Sequence, residues 1–436
     1  MIMLLSHAYA ALLQYNGGEV LNAVVIETGP TFENSKLLLG AEPLGLNFYL
    51  KPTSSPQEAL NLHRQLQTTP DILSSWPDVL IPHTFHFNDP LYIGQWYLSY
   101  LDMNVLFDRS IGSSDIVVAV IDSGIDIEHP DLSSKIIDPY DAYDQDDDPT
   151  PNLGDFCWDG SNDTCDVHGT AVAGIAVAEA NNEMGMVGIC PECSLVPIKM
   201  LGTENRLSSD IRAFTHAIEV GADVINNSWG YTDAIPVPTP LKNLIVQAAT
   251  QGRDGKGSLV VFAAGNEDRE IYDNEICAIE EILCISAIDS YGRPTNYTNY
   301  GAAVDLSAPS ATVSIAPNNS ETNQFGGTSA AAPVVSGLAA WILSERPELN
   351  VSDLKNLLIE SSVPSPLVTH DTNGHHPYYG YGTISPQKLD TLLFPSSKKD
   401  DKPKEGNTGS CRHLSTDSTS ILMAWVILLV LPWRRT

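Results

Sequence analysis

Short apolar runs recur between residues 86 and about 394, and stretches with helical spacing separate them. The runs include "DIVVAVID", "ADVINNSW" and "SLVVFAAGN". Strands that are apolar on both sides are typical of a parallel sheet covered by helices, because each parallel connection needs a crossover segment. The alternation therefore predicts an α/β domain with a mostly parallel central sheet.

A smaller α/β unit is predicted ahead of this domain, over residues 11 to about 85. Three strands are expected at "VLNAVVIE", "LNFYLKP" and "PDVLIP". A helix is expected at "SPQEALNLHRQLQ", where Leu60, Leu62 and Leu66 follow helical spacing and Ser55 is placed to cap the first turn.

The charge of the chain is strongly acidic, with 54 Asp and Glu against 23 Lys and Arg and a net charge of −31. This excess argues against a nucleic-acid partner, which requires basic patches, and suits a secreted or cation-binding protein. Ten of the aspartates lie between Asp138 and His168, where there is no Lys or Arg. Such a cluster is either a solvated loop or a metal site.

Six of the seven cysteines form close pairs in the sequence, and Cys411 stands alone near the end. Close pairs favour disulfides and an oxidising compartment. The alternative for "CPEC" is a redox or zinc motif, although no His or second CxxC accompanies it. The predicted pairs are Cys157 with Cys165, Cys190 with Cys193, and Cys277 with Cys284.

Three segments carry residues suited to hydrolysis. Asp122 ends the apolar run of "VVAVIDSGID", His168 opens the Ala- and Gly-rich stretch "HGTAVAG", and Ser329 begins a helix in "GTSAAAP". A serine nucleophile needs a base to take its proton and a carboxylate to orient that base. The run "VVFAAGNE" is predicted to end a strand at Asn266, whose side-chain amide is placed to donate a hydrogen bond to a tetrahedral oxyanion. Taken singly, the Asp, the His and the Ser each have a structural explanation.

Together these four blocks, in this order and at these separations, resemble the signature blocks of the subtilisin-like serine proteases (the S8 type) over about residues 86–394. The resemblance implies a three-layer fold and an Asp122–His168–Ser329 triad. In it Asp122 orients, His168 is base and acid, Ser329 attacks, and Asn266 with the Ser329 amide holds the oxyanion. It also implies that "NNSWG" binds substrate as an added strand. The implied substrate-binding residues are Ser228, Trp229, Gly230 and Gly265.

Three positions depart from the family pattern without touching the triad. Ala171 stands where His usually follows "HGT", Ala330 where Met follows "GTS", and Val334 where "AAPHV" has His. Because none of the three is a triad position, catalytic activity is still expected.

The resemblance extends to calcium-dependent members of the family. Its first calcium site would use Asp89, Asp131 and Asn182, with the carbonyls of Glu179, Met184 and Met186. A second site is expected in "YDAYDQDD", where Asp141, Asp144 and Asp146 offer oxygen ligands suited to a hard cation.

Residues 11–85 resemble the family's inhibitory pro-domain, which is ferredoxin-like, and "NDPLYIGQWYL" resembles a mature start. Autocleavage is then expected between about Leu80 and Phe87. The alternative is an unrelated N-terminal domain.

The two ends of the chain predict export and attachment. Residues 1–10, "MIMLLSHAYA", end in an Ala-x-Ala pattern typical of a signal-peptide remnant. Residues 395–410 form a polar linker. Residues 411–436 resemble a bacterial C-terminal sorting signal, with Gly409 to Cys411, a short apolar run from Ile421 to Trp433, and Arg434 and Arg435. The sequence thus predicts a secreted or envelope-anchored protein, with the tail as a membrane segment that a sorting protease processes.

Three functions remain in competition. The first is an autoprocessed endopeptidase acting on polypeptides, with its own pro-domain as inhibitor. The second is a processing protease selective for basic residues, with Glu267, Asp268, Asp273 and Glu275 forming an acidic pocket. The third is an inactive surface-binding homologue, against which the presence of all four site residues argues.

Overall fold

The computed structural model describes residues 20–28, 38–45, 48–54, 56–66, 69, 72–79, 87–151, 167–231, 233–310 and 312–395. By their contacts, Met1–Leu393 form one unit and Phe394–Thr436 a second. The predicted signal-peptide remnant, the predicted tail and nearly all of the predicted linker lie outside the described residues, as do Cys157 and Cys165.

The N-terminal residues form an antiparallel sheet with a helix of their own. The sheet order is β2-β3-β1-β4, and Val24, Ile26, Ala59 and Leu66 form its small core. The last strand begins at Ile72, five residues earlier than predicted, and β2 was not predicted. The elements are β1 (Val20–Thr28), β2 (Glu42–Gly45), β3 (Phe48–Pro52), α1 (Pro56–Leu66) and β4 (Ile72–Val79).

The central sheet confirms the predicted α/β class. Across residues 87–395, where described, it has seven strands in the order β11-β10-β9-β8-β5-β7-β6, and every neighbouring pair is parallel. The strands are β5 (Val117–Asp122), β6 (Tyr140–Asp141), β7 (Ser194–Lys199), β8 (Val224–Asn227), β9 (Leu259–Ala263), β10 (Leu283–Ile288) and β11 (Leu306–Pro309). Two small antiparallel pairs lie outside this sheet: β12 (Thr312–Ala316) with β13 (Ser320–Phe325), and β14 (Ser362–Val363) with β15 (Thr383–Ile384).

Helices cover both faces of the sheet. The helices are α2 (Trp96–Leu101), α3 (Asn104–Phe107), α4 (His168–Val177), α5 (Leu207–Glu219), α6 (Thr239–Gly255), α7 (Thr328–Glu345), α8 (Val351–Ser361) and α9 (Pro386–Leu393). Ala119 and Ile121 of β5 share a core with α5 and α6. Because side chains alternate along a strand, Val118 and Val120 face the other side, where α4 and α7 pack on the sheet. This is why β5 is apolar up to its last residue, Asp122.

The described residues contain no helix that is both long and apolar enough to cross a membrane.

Candidate active site

The carboxylate of Asp122 and the imidazole of His168 are hydrogen-bonded to each other. Asp122 ends β5, His168 begins α4, and 2.7 Å separates Asp122 Oδ1 from His168 Nδ1. The same oxygen accepts the backbone N–H of Ser123 at 2.7 Å, and Asp122 is fully buried. Gly169 lets the start of α4 pack closely against the loop after β5, because a Cβ there would lie 2.2 Å from the Gly124 carbonyl oxygen.

Ser329 is the second residue of α7 and lies next to Ser228, which follows β8. Its hydroxyl donates to the Ser228 carbonyl at 3.0 Å, and the Ser228 hydroxyl donates to the Ser329 carbonyl at 2.9 Å. The second bond has a local cause. Pro333 lies four residues after Ser329 inside the helix and has no N–H to give that carbonyl. Ser228 supplies the missing donor.

The Asn266 side chain is held from the start of α7. Its Oδ1 accepts the backbone N–H of Thr328 at 2.8 Å and the Thr328 hydroxyl at 3.1 Å. Its amide nitrogen then remains as a donor, 3.2 Å from where a Cβ on Gly327 would lie. Gly327 has φ of +75°, in the left-handed region, so glycine suits both the turn and the space.

A cavity of about 50 Å³ opens beside these residues. Its lining includes Ser329, Asn266 and all four residues predicted to bind substrate, Ser228, Trp229, Gly230 and Gly265. Phe262, Ile271 and Ile276 add apolar wall. The structure therefore brings together the predicted nucleophile, oxyanion donor and substrate strand.

The cavity is less acidic than the pocket of four acids that the sequence predicted. Glu267 and Glu275 line it, whereas Asp268 and Asp273 are not among its lining residues. Arg269, which the sequence analysis missed, also lines it and binds Glu275 through two hydrogen bonds of 2.8 and 2.7 Å. Burial opposes ionisation of Glu275, but the bonds from Arg269 and Tyr272 outweigh it, and the pKa of Glu275 lies below its ordinary value. Glu275, one of the two acids that line the cavity, is thus already paired with the positive charge of Arg269.

Asp89, Asp131 and Asn182, the predicted first calcium ligands, lie together. The Asn182 side-chain amide donates to Asp131 Oδ1 at 2.7 Å, and the Asn182 backbone N–H donates to Asp89 at 3.4 Å. Both carboxylates are buried. Burial raises the pKa of Asp131 to about 6 and also raises the pKa of Asp89.

The loop around this cluster is shaped to approach Asp131. The backbone N–H of Met186 donates to Asp131 Oδ2 at 2.8 Å, and the N–H of Glu179 donates to the Asp131 carbonyl at 2.9 Å. The N–H of Met184 donates to Asn182 Oδ1 at 2.9 Å. A Cβ on Gly185 would lie 1.8 Å from Asp131 Oδ2. Two buried carboxylates and an amide oxygen form a donor set that fits a hard cation.

The expected second calcium site holds a cation of the protein itself. The buried ammonium of Lys199, at the end of β7, lies 2.9 Å from Asp141 and 3.5 Å from Asp144. Asp141 also accepts the N–H groups of Tyr143 and Asp144, and its own N–H bonds the Asp146 carbonyl at 2.8 Å. Lys199 supplies the charge that the sequence analysis assigned to a metal, so no calcium is proposed there. Among the described residues, no three His, Cys, Asp or Glu side chains are grouped to hold a metal.

Two of the predicted cysteine pairs are disulfide-bonded. Cys190 bonds Cys193, and Cys277 bonds Cys284. Cys190 and Cys193 are fully buried. This explains "CPEC" as a structural disulfide. Cys277 lines the cavity beside Ser329.

Known proteins with the same architecture define the class. A solved protease from Pseudoalteromonas arctica PAMC 21717 superposes with a TM-score of 0.60 at 24% identity, covering 70% of this chain and 99% of its own. At that identity the likeness establishes the fold.

The subtilase family model matches residues 113–382. The thermophilic serine proteinase of Bacillus sp. (strain AK1) is 32% identical over 327 residues, covering 74% of this chain and 73% of that protein. The chain belongs to the subtilase family. The calcium-dependent protease of Trichormus variabilis is 29% identical over 360 residues, 72% of this chain. The chain spans about half, 52%, of that relative's length.

Proposed function

We propose that this chain is a serine endopeptidase that hydrolyses polypeptides through an acyl-enzyme. The observation that carries the proposal is the 2.7 Å bond between His168 Nδ1 and Asp122 Oδ1 at the end of β5. The neighbouring strand β8 leads into Ser228, which is hydrogen-bonded to Ser329. Because the Asp122 carboxylate bonds Nδ1 of His168, Nε2 of the same ring is the nitrogen that acts as the base. Family membership supports this assignment.

The proposed reaction begins when the Ser329 hydroxyl turns from the Ser228 carbonyl and gives its proton to His168 Nε2. Its oxygen then attacks the scissile carbonyl carbon, and Asp122 stabilises the imidazolium that forms. His168 returns the proton to the leaving amine, the C–N bond breaks, and the acyl group stays on Ser329. Water, deprotonated by His168, hydrolyses this ester and restores the serine.

The oxyanion is assigned to the Asn266 amide and the Ser329 backbone N–H. Two hydrogen bonds from Thr328 hold Asn266 Oδ1, so the amide nitrogen is oriented before substrate arrives. Donors fixed in advance need no reorganisation during the reaction, and removing one costs about 2.7–4 kcal/mol of transition-state stabilisation.

The substrate is proposed to add a strand along Ser228–Gly230 and to place one side chain in the cavity beside Ser329. Apolar walls and the Arg269–Glu275 ion pair favour an uncharged side chain there. A basic residue at that position, the second candidate, would have to use Glu267 or displace Arg269.

Residues 11–85 are proposed to be an inhibitory pro-domain that the enzyme removes itself. The support is a separate small core and sheet directly ahead of the catalytic residues.

Calcium is proposed to bind at Asp89, Asp131 and Asn182, with backbone carbonyls of Glu179, Met184 and Met186 completing the site. The cation would offset the repulsion between two buried carboxylates and so stabilise the loop that holds them. A calcium-dependent relative supports this proposal.

Secretion and attachment to a bacterial envelope through residues 411–436 are proposed from the sequence pattern. Deleting residues 412–436 should release the protein into the medium, whereas unchanged cell association would place retention elsewhere.

A serine-reactive covalent probe tests the enzyme assignment directly. We expect labelling of Ser329 in the mature protein and none in Ser329→Ala, which should also accumulate as an uncleaved precursor. Absence of labelling in a folded mature protein would favour the inactive homologue, and normal cleavage near residues 80–87 in Ser329→Ala would assign maturation to another protease.

A further inference from the structure

A second cavity, of about 110 Å³, lies across Trp229 and Gly230 from the first. Both cavities are lined by Trp229, Gly230 and Tyr231, but Ser329 and Asn266 line the first alone. A buried site for one water needs about 10–15 Å³, so this cavity is large enough for a side chain.

Asp210, in the first turn of α5, lines the second cavity and is 6% exposed. Its carboxylate accepts one long hydrogen bond, 3.4 Å, from the Tyr231 hydroxyl. Burial raises the pKa of Asp210 to about 6, so the group is ionised at neutral pH. The basic side chain on the cavity wall, Arg206, pairs instead with Glu204. In the part of the chain that the structure describes, no basic side chain pairs with Asp210, and a buried carboxylate without a counter-ion is costly unless a cation binds.

We propose that the Asp210 carboxylate determines specificity by binding the cationic side chain of an arginine or lysine in the substrate, at a position other than the one that fills the first cavity. The inference rests on the proposed endopeptidase function.

The position of the cavity along the substrate strand carries the assignment to substrate. A peptide paired with Ser228–Gly230 advances about 3.3 Å per residue, and its side chains alternate in direction. A residue near the one beside Ser329 therefore reaches the far side of Trp229. Leu201 and Leu207 line that side, where the methylenes of a long basic side chain can pack while its charged end meets Asp210.

The test compares arginine with citrulline, which keeps the shape of arginine and lacks its charge. Peptides differing in this one residue are made for each position near the cleaved bond, and kcat/KM is measured for each pair. In the wild type we expect arginine to be preferred by about tenfold or more at one position, as for a charge-assisted hydrogen bond. Asp210→Asn should bring that ratio close to one while citrulline peptides are cleaved as before.

Asp233→Asn is the matched control. Asp233 is an exposed acid four residues after Trp229 that is not among the lining residues of either cavity. Its removal should leave the arginine preference intact, which separates a local contact from a long-range charge effect.

Three outcomes overturn the inference. The first is the absence of an arginine preference at every position, and the second is the same preference in Asp210→Asn as in wild type. The third is an equal loss for both peptides of a pair, which is the mark of a structural role. If the protein hydrolyses the peptides without preferring arginine, the inference about Asp210 is wrong and the proposed endopeptidase function stands. Absence of both hydrolysis and serine labelling removes the proposed function with it.

Discussion

Ser228 and Ser329 exchange hydrogen bonds. The Ser329 hydroxyl donates to the Ser228 carbonyl at 3.0 Å, and the Ser228 hydroxyl donates to the Ser329 carbonyl at 2.9 Å. The residue proposed to pair with substrate thus also holds the backbone of the proposed nucleophile. The second bond serves a carbonyl that Pro333 leaves without a helical donor.

Ser228→Ala should therefore destabilise the fold by about 1–3 kcal/mol, because the Ser329 carbonyl loses its donor in a buried site. The control is the same change in a Pro333→Ala background, where residue 333 has an N–H for that carbonyl. Chemical denaturation of the four proteins gives the coupling energy. An equally large loss in both backgrounds would contradict the explanation.

Asp122→Asn should lower kcat by about 10⁴ while the protein stays folded, because an amide cannot hold His168 in the tautomer that leaves Nε2 as the base. Asp126→Asn is the comparison. Asp126 is also a buried acid that accepts backbone N–H groups, from Glu128 and Asn318, but it does not contact His168. Steady-state kinetics with circular dichroism checks both. If the two variants lose activity equally, Asp122 has no special orienting role.

Calcium should raise the melting temperature, since a ligand that binds the native state alone adds about 2.7 kcal/mol at a hundredfold excess over Kd. Asp131→Asn should reduce that gain by removing a charged ligand. Asp138→Asn, an exposed acid with φ of +43°, should retain it. Scanning calorimetry with calcium and with chelator measures the difference. Equal melting temperatures in the wild type would exclude the proposed site.

Asp210 should make the fold less stable as pH rises. Its folded pKa of about 6 lies above its ordinary value of 3.8, so the native state holds the proton more tightly. Its contribution is most favourable below pH 4 and is lost between about pH 4 and 6, on the order of 3 kcal/mol. Asp210→Asn should lack this dependence and be the more stable protein at pH 8. Parallel stability curves for the two proteins from pH 4 to 8 would refute it.

Ala330 should protect the enzyme from peroxide. The family usually has Met beside the nucleophile, and oxidation of Met to a polar sulfoxide would disturb a site whose rate depends steeply on geometry. Ala330 is fully buried and has no sulfur. Ala330→Met should lose more activity than wild type after the same peroxide treatment. Equal losses would show that this position does not control oxidative inactivation.

The sequence alone determined the α/β class, because strands buried on both faces are apolar on both sides, as β5 is up to its last residue, Asp122. It also placed Asp122 at a strand end and His168 and Ser329 at helix starts, because strand ends and helix starts leave characteristic local patterns. Asn266 was expected to end a strand, but β9 ends earlier, at Ala263. Helix α7 was expected from Ser329 to about Ser344, and it ends at Glu345.

What the tertiary structure alone decided are contacts between residues far apart in the chain. Ser228 and Ser329 are 101 residues apart, and the order of strands in the sheet brings them together. Lys199 reaches Asp141 because β6 lies beside β7, which turns an apparent metal site into an ion pair. Arg269 neutralises Glu275, whereas Arg206, which lines the same cavity as Asp210, pairs with Glu204 instead. A sequence shows which side chains are charged but not how far apart they lie. Burial and distance decide which of these charges form ion pairs within the protein.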